Sequence, residues 1–491
     1  MTPAVMLAVV AAYFAILLAV ARHTSRNATN DAFFIGARSS NWMLVAFGMV
    51  GTSLSGVTFV SVPGAVGRDG FTYFQIVLGH FIGYLVIAYV LLPVYYRDNV
   101  TSIYHFLETR LGHAAHKTGA GFFILSRTLG APARLYLVVN LLQVAILDGL
   151  GVPYWASALV ILAMIVAYTY EGGVKTIVWT DTLQTTCMLG GLAIVVASIL
   201  GHLDLSIGES LARMREQGLA TVFSTDVNGR EFFAKHFVAG IFIAIAMTGM
   251  DQEMMQKNIS VRTLLDSQKN VVTLAVIMLG VVLLFLYLGG LLYLYAPAVG
   301  VSAGGDRIFP AIVLGHLPAA VQLVFLIALI SALFPSADGA ITALTSSFCI
   351  DILGLKHRRD LTEDARTRIR HRVHLSFAAV FLALLLAFKA AASPSMIGVI
   401  LAIAAYTYGP LLGLFAFGLL TRRRPIDRWV PVVALAAPAI CFWLDRNQQA
   451  LFGSYQVGLE ILALNGLLTF IGLWLVSRPA TDQPETGIAP A

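Results

Sequence analysis

Apolar runs of about 20 residues recur from one end of this chain to the other, and a run of that length crosses a bilayer as a helix. Thirteen such spans are legible and are numbered 0 to 12: 3–21, 41–66, 71–96, 119–148, 155–170, 180–202, 232–256, 271–296, 310–352, 373–389, 396–420, 428–445 and 456–477. Span 8 is long for one crossing, so a separate short helix is expected near Pro310. Lipid offers no hydrogen bonds to the backbone, so the pattern predicts an all-α membrane bundle. Charged residues make up only 12% of the chain, against about a quarter in a soluble one. No polar stretch between spans exceeds roughly 30 residues, which predicts a single transmembrane domain over residues 1–480 and a short tail over 481–491. Span 0 has the length of a secretory leader, and Ala19-Val20-Ala21 mimics a cleavage site. It lacks a basic leading segment and is read as a retained span.

Orientation follows from the basic residues. With the N-terminus outside, the inside loops hold 22 Lys and Arg and the outside loops 8; Arg127 and Arg134, inside span 3, complete the 32. Basic loops stay in the cytoplasm, so the net charge of +6 is a topology signal and implies no nucleic acid. The basic segment 356–372 is expected to be an orientation signal, with a lipid or partner site as the other reading. Cys187, Cys349 and Cys441 lie in or beside apolar segments, where they act as small hydrophobes. His105, His113 and His116 share one cytoplasmic loop, and His357, His371 and His374 lie in or beside another. Neither group has the spacing of a metal motif, which argues against a membrane enzyme. The short tail argues against a sensor with a large signalling domain.

Two spans are interrupted. Span 1 carries Gly48, Gly51, Gly56, Pro63 and Gly64 around Thr52-Ser53-Leu54-Ser55, and span 6 carries Thr248-Gly249 followed by Asp251-Gln252-Glu253. They stand five spans apart, at matching places in two possible halves, and such paired interruptions point to a transporter site. Ionisable residues inside spans are costly and point to function; here they are Arg127, Arg134, Asp181, Asp251 and Asp338.

The segment Glu171-Gly-Gly-Val-Lys-Thr-Ile-Val-Trp-Thr-Asp-Thr-Leu-Gln184 enters span 5. Its Gly172-Gly173, Trp179-Thr180-Asp181 and Gln184 resemble the signature of the sodium:solute symporter family. Three further segments resemble the family: 31–38, 55–64 and 406–413, so the likeness runs over about residues 5 to 475. The resemblance implies the inverted-repeat fold first seen in the leucine transporter. One repeat would cover about 41–202 and the other about 232–420, with peripheral spans 3–21, 428–445 and 456–477. It implies sodium as the coupling ion, no organic cofactor, a small-molecule solute and the bilayer as partners, and no obligate protein partner. The expected location is a bacterial inner membrane.

Matched motif by motif, the resemblance puts a sodium ion between the carbonyls of Gly51 and Leu54 on span 1 and Ala332 and Ser336 on span 8. Pro335 stands where the family has a hydroxyl. A possible second cation would sit at Asp181 and Asp338, with Gly339 lacking the family's hydroxyl. Two carboxylates there could instead share a proton, so proton coupling stays open, as does a salt bridge for Asp338. The substrate is expected near the breaks, at Ser53, Ser55, Thr58, Gln75, Thr248 and Gln252, with Arg127 and Arg134 on one face of span 3. An arginine fork reads a carboxylate, so the expected solute is anionic or zwitterionic; a sugar or inorganic anion is the alternative. Ser53, Thr58 and Ala244 make a hexose less suited. In the competing reading Arg127 snorkels to the cytoplasmic surface and Arg134 pairs with a neighbouring acid.

Overall fold

The computed structural model describes residues 3–25, 30–355, 358, 360–391 and 396–479. The expected tail over 481–491 and Lys356 and His357 of the basic segment lie outside the described residues. Nine helices among the described residues are long and apolar enough to cross a membrane. Two bent pairs qualify as joined spans, and two shorter apolar helices, Tyr154–Tyr170 and Ile461–Leu475, complete thirteen segments. They fall one to one on the expected spans. A short helix, Ile308–His316, precedes span 8, which runs from Ala319.

Both expected breaks are present. Span 1 is Trp42–Ser53 followed by Gly56–Asp69, bent by 58°. Span 6 is Phe233–Gly249 followed by Gln252–Ile259, bent by 66°. The freed carbonyls of the span 6 break are satisfied by phenols: Tyr95 donates to Gly249 O at 2.8 Å and Tyr104 to Met250 O at 3.1 Å. Asp251 caps the second half by accepting from Met254 N at 3.2 Å.

Close helix contact explains two of the glycines. Span 2 lies along the first half of span 6, and a Cβ on Gly240 would stand 2.2 Å from Ile76 O, so only a hydrogen fits there. In the signature segment, Gly173 adopts φ +52° where spans 4 and 5 meet at a kink. A side chain there would strain the backbone and would also strike Phe33 Cα, 2.4 Å from its Cβ. The signature therefore divides its labour: Gly173 shapes the backbone, Trp179 is half exposed on the outer surface of the bundle, and Asp181 is fully buried.

The bundle has two ends. One carries Arg68, Glu231, Tyr406 and Asp445 around a cavity and is called the Glu231 end. At the other, the Glu108 end, Ala114 N donates to Asp427 Oδ1, and Arg424–Pro425 pairs antiparallel with Ser477–Arg478. The loops expected to be cytoplasmic lie at the Glu108 end.

Candidate functional site

Span 1 is unwound at Leu54 and Ser55, whose backbone angles leave the helical region. The last turn of a helix leaves carbonyls without intrahelical partners, and here that turn includes Gly51. Span 8 loosens opposite it. Its helix stops at Leu333, turns through Phe334–Ser336, and resumes at Asp338. Pro335 explains the interruption, since proline lacks the N–H that would continue the ladder. Ala332 O lies 3.6 Å from where a Cβ of Gly56 would stand. The Ser336 hydroxyl is buried with no hydrogen-bond partner. The four expected sodium ligands are thus carried by two facing interruptions, and free oxygens of this kind suit a hard cation.

Beside them lies a buried charge cluster that the sequence revealed only in part. Arg127 Nε is 2.7 Å from Asp251 Oδ2, and its second fork nitrogen is 3.3 Å from Glu253 Oε2. Arg127 is 5% exposed, so it does not snorkel: a paired guanidinium stays in the interior. The Tyr408 hydroxyl on span 10 donates to the same Asp251 oxygen at 2.6 Å. Lys257, one of the 22 basic residues that the sequence assigns to inside loops, is only 2% exposed. Its ammonium is 2.6 Å from Asp181 Oδ2 and 2.7 Å from Thr52 Oγ1. Thr52 in turn donates to Asp181 at 3.0 Å. A cation is therefore already present at one of the two aspartates expected to hold a second ion. Asp338 accepts from Tyr168 at 2.7 Å and from its neighbour Gly339 N at 2.6 Å; it makes no salt bridge among the described residues. A carboxylate in the first turn of a helix is also favoured by the helix dipole.

Gly339 now has a reason. A Cβ there would stand 2.4 Å from Glu253 Oε1. The carboxylate of span 6 fills the space that the family's hydroxyl side chain would need. Glu253 is 2% exposed, and neither oxygen has a hydrogen bond; its partners are the Arg127 and Lys257 charges, the latter at 3.9 Å.

The expected substrate residues separate into two groups. Ser53 and Thr248 converge on Tyr84 of span 2, so the two breaks do meet; Ser55 lies in the unwound stretch and Thr58 in the first turn of the helix after it. Gln75 and Gln252 are instead engaged with backbone. Gln75 bonds Glu231 O and Ser224 N, and Gln252 bonds Ile103 N and Thr101 O. Each fastens a loop to a span. Arg134 is half-buried and makes no ion pair or side-chain hydrogen bond among the described residues. It lies near Tyr73, which lines a cavity of about 770 Å³ opening at the Glu231 end.

Acids guard that mouth. Burial and the neighbouring Asp69 carboxylate push Glu231 up to about 7. A carboxyl raised in the folded state stabilises it while protonated, so the contribution is full below its ordinary value and is lost as pH rises through 7. The thermal midpoint of the purified protein is expected to fall from about pH 4.5, the ordinary carboxyl value, to about pH 7 and to level off above it, and Glu231→Gln to flatten that slope. An unchanged slope in Glu231→Gln would show that another group titrates there.

Broken helices in matching positions, carrying a buried ion-pair network and a cavity from one end, define a secondary transporter of the inverted-repeat class. Residues 33–425 match the sodium:solute symporter family, and the chain belongs to that family. It is 26% identical over 440 residues to the mouse sodium-coupled monocarboxylate transporter 1, covering 86% of this chain and 69% of that one. It is 22% identical to the sodium/sialic acid symporter of Proteus mirabilis, covering 85% and 84%. The solved substrate-bound, outward-open state of a Na+-coupled sialic acid symporter superposes with a TM-score of 0.82 at 18% identity, covering 96% and 97%. The chain is a multi-pass membrane transporter and not an enzyme.

Proposed function

We propose that the chain imports a carboxylate-bearing organic solute together with one sodium ion, by alternating access. One observation carries the solute class: span 3 presents two arginines, of which Arg127 is held by Asp251 and Glu253 while Arg134 is unpaired near the cavity. A half-buried guanidinium without a carboxylate partner suits an anionic ligand. Monocarboxylates and sialic acid, named for the two relatives above, both bear a carboxylate. Sodium binds the Gly51, Leu54, Ala332 and Ser336 oxygens. The second cation at Asp181 and Asp338 is the ammonium of Lys257. The chain lies in a bacterial inner membrane with its N-terminus outside and its C-terminus in the cytoplasm, a reading supported by the bias in basic loops and by the bacterial relative. The cavity at the Glu231 end then faces outward.

The test is uptake into proteoliposomes of labelled lactate, sialic acid and glucose, with sodium or potassium outside. Sodium-driven uptake of an acid is expected. Arg134→Gln should raise its half-saturating concentration about 10- to 100-fold, the worth of a charged hydrogen bond, and Ser336→Ala should raise the sodium requirement. Glucose uptake that Arg134→Gln leaves intact would overturn the solute class. A second reading, proton coupling, is favoured by the charge count: Asp181, Asp251, Glu253 and Asp338 are buried against only Arg127 and Lys257. Uptake driven by an inward proton gradient in potassium alone would establish that reading instead.

A further inference from the structure

Three histidines of one loop, His105, His113 and His116, converge at the Glu108 end, apart from the ion-pair cluster. The short helix His105–Leu111 turns back at Gly112, whose φ is +113°, into the long helix of span 3 that starts at His113. The turn wraps three imidazoles around one carboxylate. His105 Nδ1 is 3.2 Å from Glu108 Oε2, His113 Nδ1 is 3.4 Å from Oε1, and His116 Nδ1 is 3.3 Å from Oε2. The ligand atoms of Glu108, His113 and His116 all lie within 4.8 Å of one another.

The His116 ring shows what the cluster lacks. Its Nε2 is 3.0 Å from Asp351 Oδ1, and Asp351 accepts in addition from Ser102 and Ser347 at its other oxygen. A carboxylate can only accept, so Nε2 carries the hydrogen. In the neutral ring Nδ1 is then a lone pair. That lone pair is buried, has no hydrogen bond, and lies 3.3 Å from another acceptor, the Glu108 carboxylate. Two acceptors at this distance need a positive charge between or beside them, which either a second ring proton or a bound cation supplies. The carboxylate–imidazole pair Asp351–His116 is also the arrangement that orients a histidine for a metal and raises its basicity. Zinc bonds of about 2.0–2.1 Å set tetrahedral ligand atoms about 3.3 Å apart, which is the spacing seen between Glu108 and each imidazole. The donor set of imidazoles with one carboxylate suits zinc and its neighbours in the transition series rather than calcium or magnesium.

We propose that Glu108, His113 and His116 bind a zinc-class divalent ion, with Asp351 orienting His116. The spacing of these histidines fits no linear metal motif; the turn at Gly112 supplies the convergence. The ion joins the corner between spans 2 and 3 and, through Asp351, ties it to the end of span 8.

The test uses full-length protein purified without a polyhistidine tag and titrated with zinc chloride against a chelating dye. One tight zinc per chain is expected. His113 is 67% exposed, so His113→Ala keeps the fold, and it should weaken binding at least tenfold. Asp351→Asn should weaken it about 10- to 100-fold, because the His116 ring loses the carboxylate that orients it. His202→Ala, at a histidine outside the cluster, should bind as the wild type does, and millimolar magnesium should not compete. No stoichiometric zinc in the wild type, or zinc binding that His113→Ala leaves unchanged, overturns the site. The thermal midpoints of all variants, measured without metal, separate lost binding from lost folding.

Discussion

Lys257→Met lowers the unfolding midpoint of the purified protein by the equivalent of about 3–5 kcal/mol. Methionine keeps the length and packing of the stem while removing the ammonium. Asp181 then faces only Thr52 in a dry interior, and Glu253 keeps Arg127 alone. Breaking a buried pair by removing one partner leaves an uncompensated charge, and that penalty exceeds what the pair contributes over an apolar replacement. The unfolded chain in a membrane also finds polar partners, which reduces many intramembrane contacts to well under 2 kcal/mol. A bare carboxylate has no such refuge, so the larger figure is expected to hold. Two further measurements make the argument testable. Lys257→Met with Asp181→Asn should recover most of the lost stability, giving a coupling energy that a merely packed lysine would not show. Lys257→Met should also become more strongly stabilised by sodium than the wild type, because the vacated place beside Asp181 accepts a free cation and ligand binding raises the midpoint. A variant as stable as the wild type and no more stabilised by added sodium would refute the resident-ammonium reading.

Much of this molecule is written in local patterns. Span lengths follow from apolar runs, and both breaks follow from glycine with polar residues at matching places. Asp181 and Gly173 could be picked out because the signature is contiguous. The ion-pair cluster is different, because its members are distant in sequence and meet only through packing. Lys257 reads as a loop residue, because Gln256, Asn258 and Arg262 surround it with polarity. One local signal was available: Glu253 and Lys257 stand four apart, on one helical face, in a segment that the Asp251 cap marks as helix. The roles of Gln75 and Gln252 were not legible, because a buried amide engaged with loop backbone has the same letter as one facing a solute. The Glu108 site was hidden by the rule that metal ligands follow fixed spacings, whereas here a helix corner brings them together.

Gly339→Ser is expected to abolish transport and destabilise the protein, although it restores the hydroxyl that the family carries at this place. The reason is Glu253. A Cβ at position 339 would lie 2.4 Å from Oε1, 2.9 Å from Cδ and 3.1 Å from Cγ of that side chain. Overpacking of this kind costs about 1–3 kcal/mol by itself. The carboxylate is not a free end that can swing into water: it is buried, and its position is fixed by Arg127 at 3.3 Å and Lys257 at 3.9 Å. Displacing it weakens both contacts, so the total should exceed the steric cost alone. The decisive comparison is with Glu253→Ala, which removes the obstructing atoms. Glu253→Ala alone should be destabilising, because two buried cations lose a shared counter-charge. Gly339→Ser with Glu253→Ala should then be no less stable than Glu253→Ala alone, since the hydroxymethyl group enters vacated space. Additive losses in thermal midpoint would show that the clash is relieved elsewhere and that glycine at 339 has another cause. The predicted non-additivity means that Gly339, Glu253 and Lys257 form one unit: the glycine makes room for the carboxylate, the carboxylate balances the ammonium, and the ammonium stands where a second ion would otherwise bind.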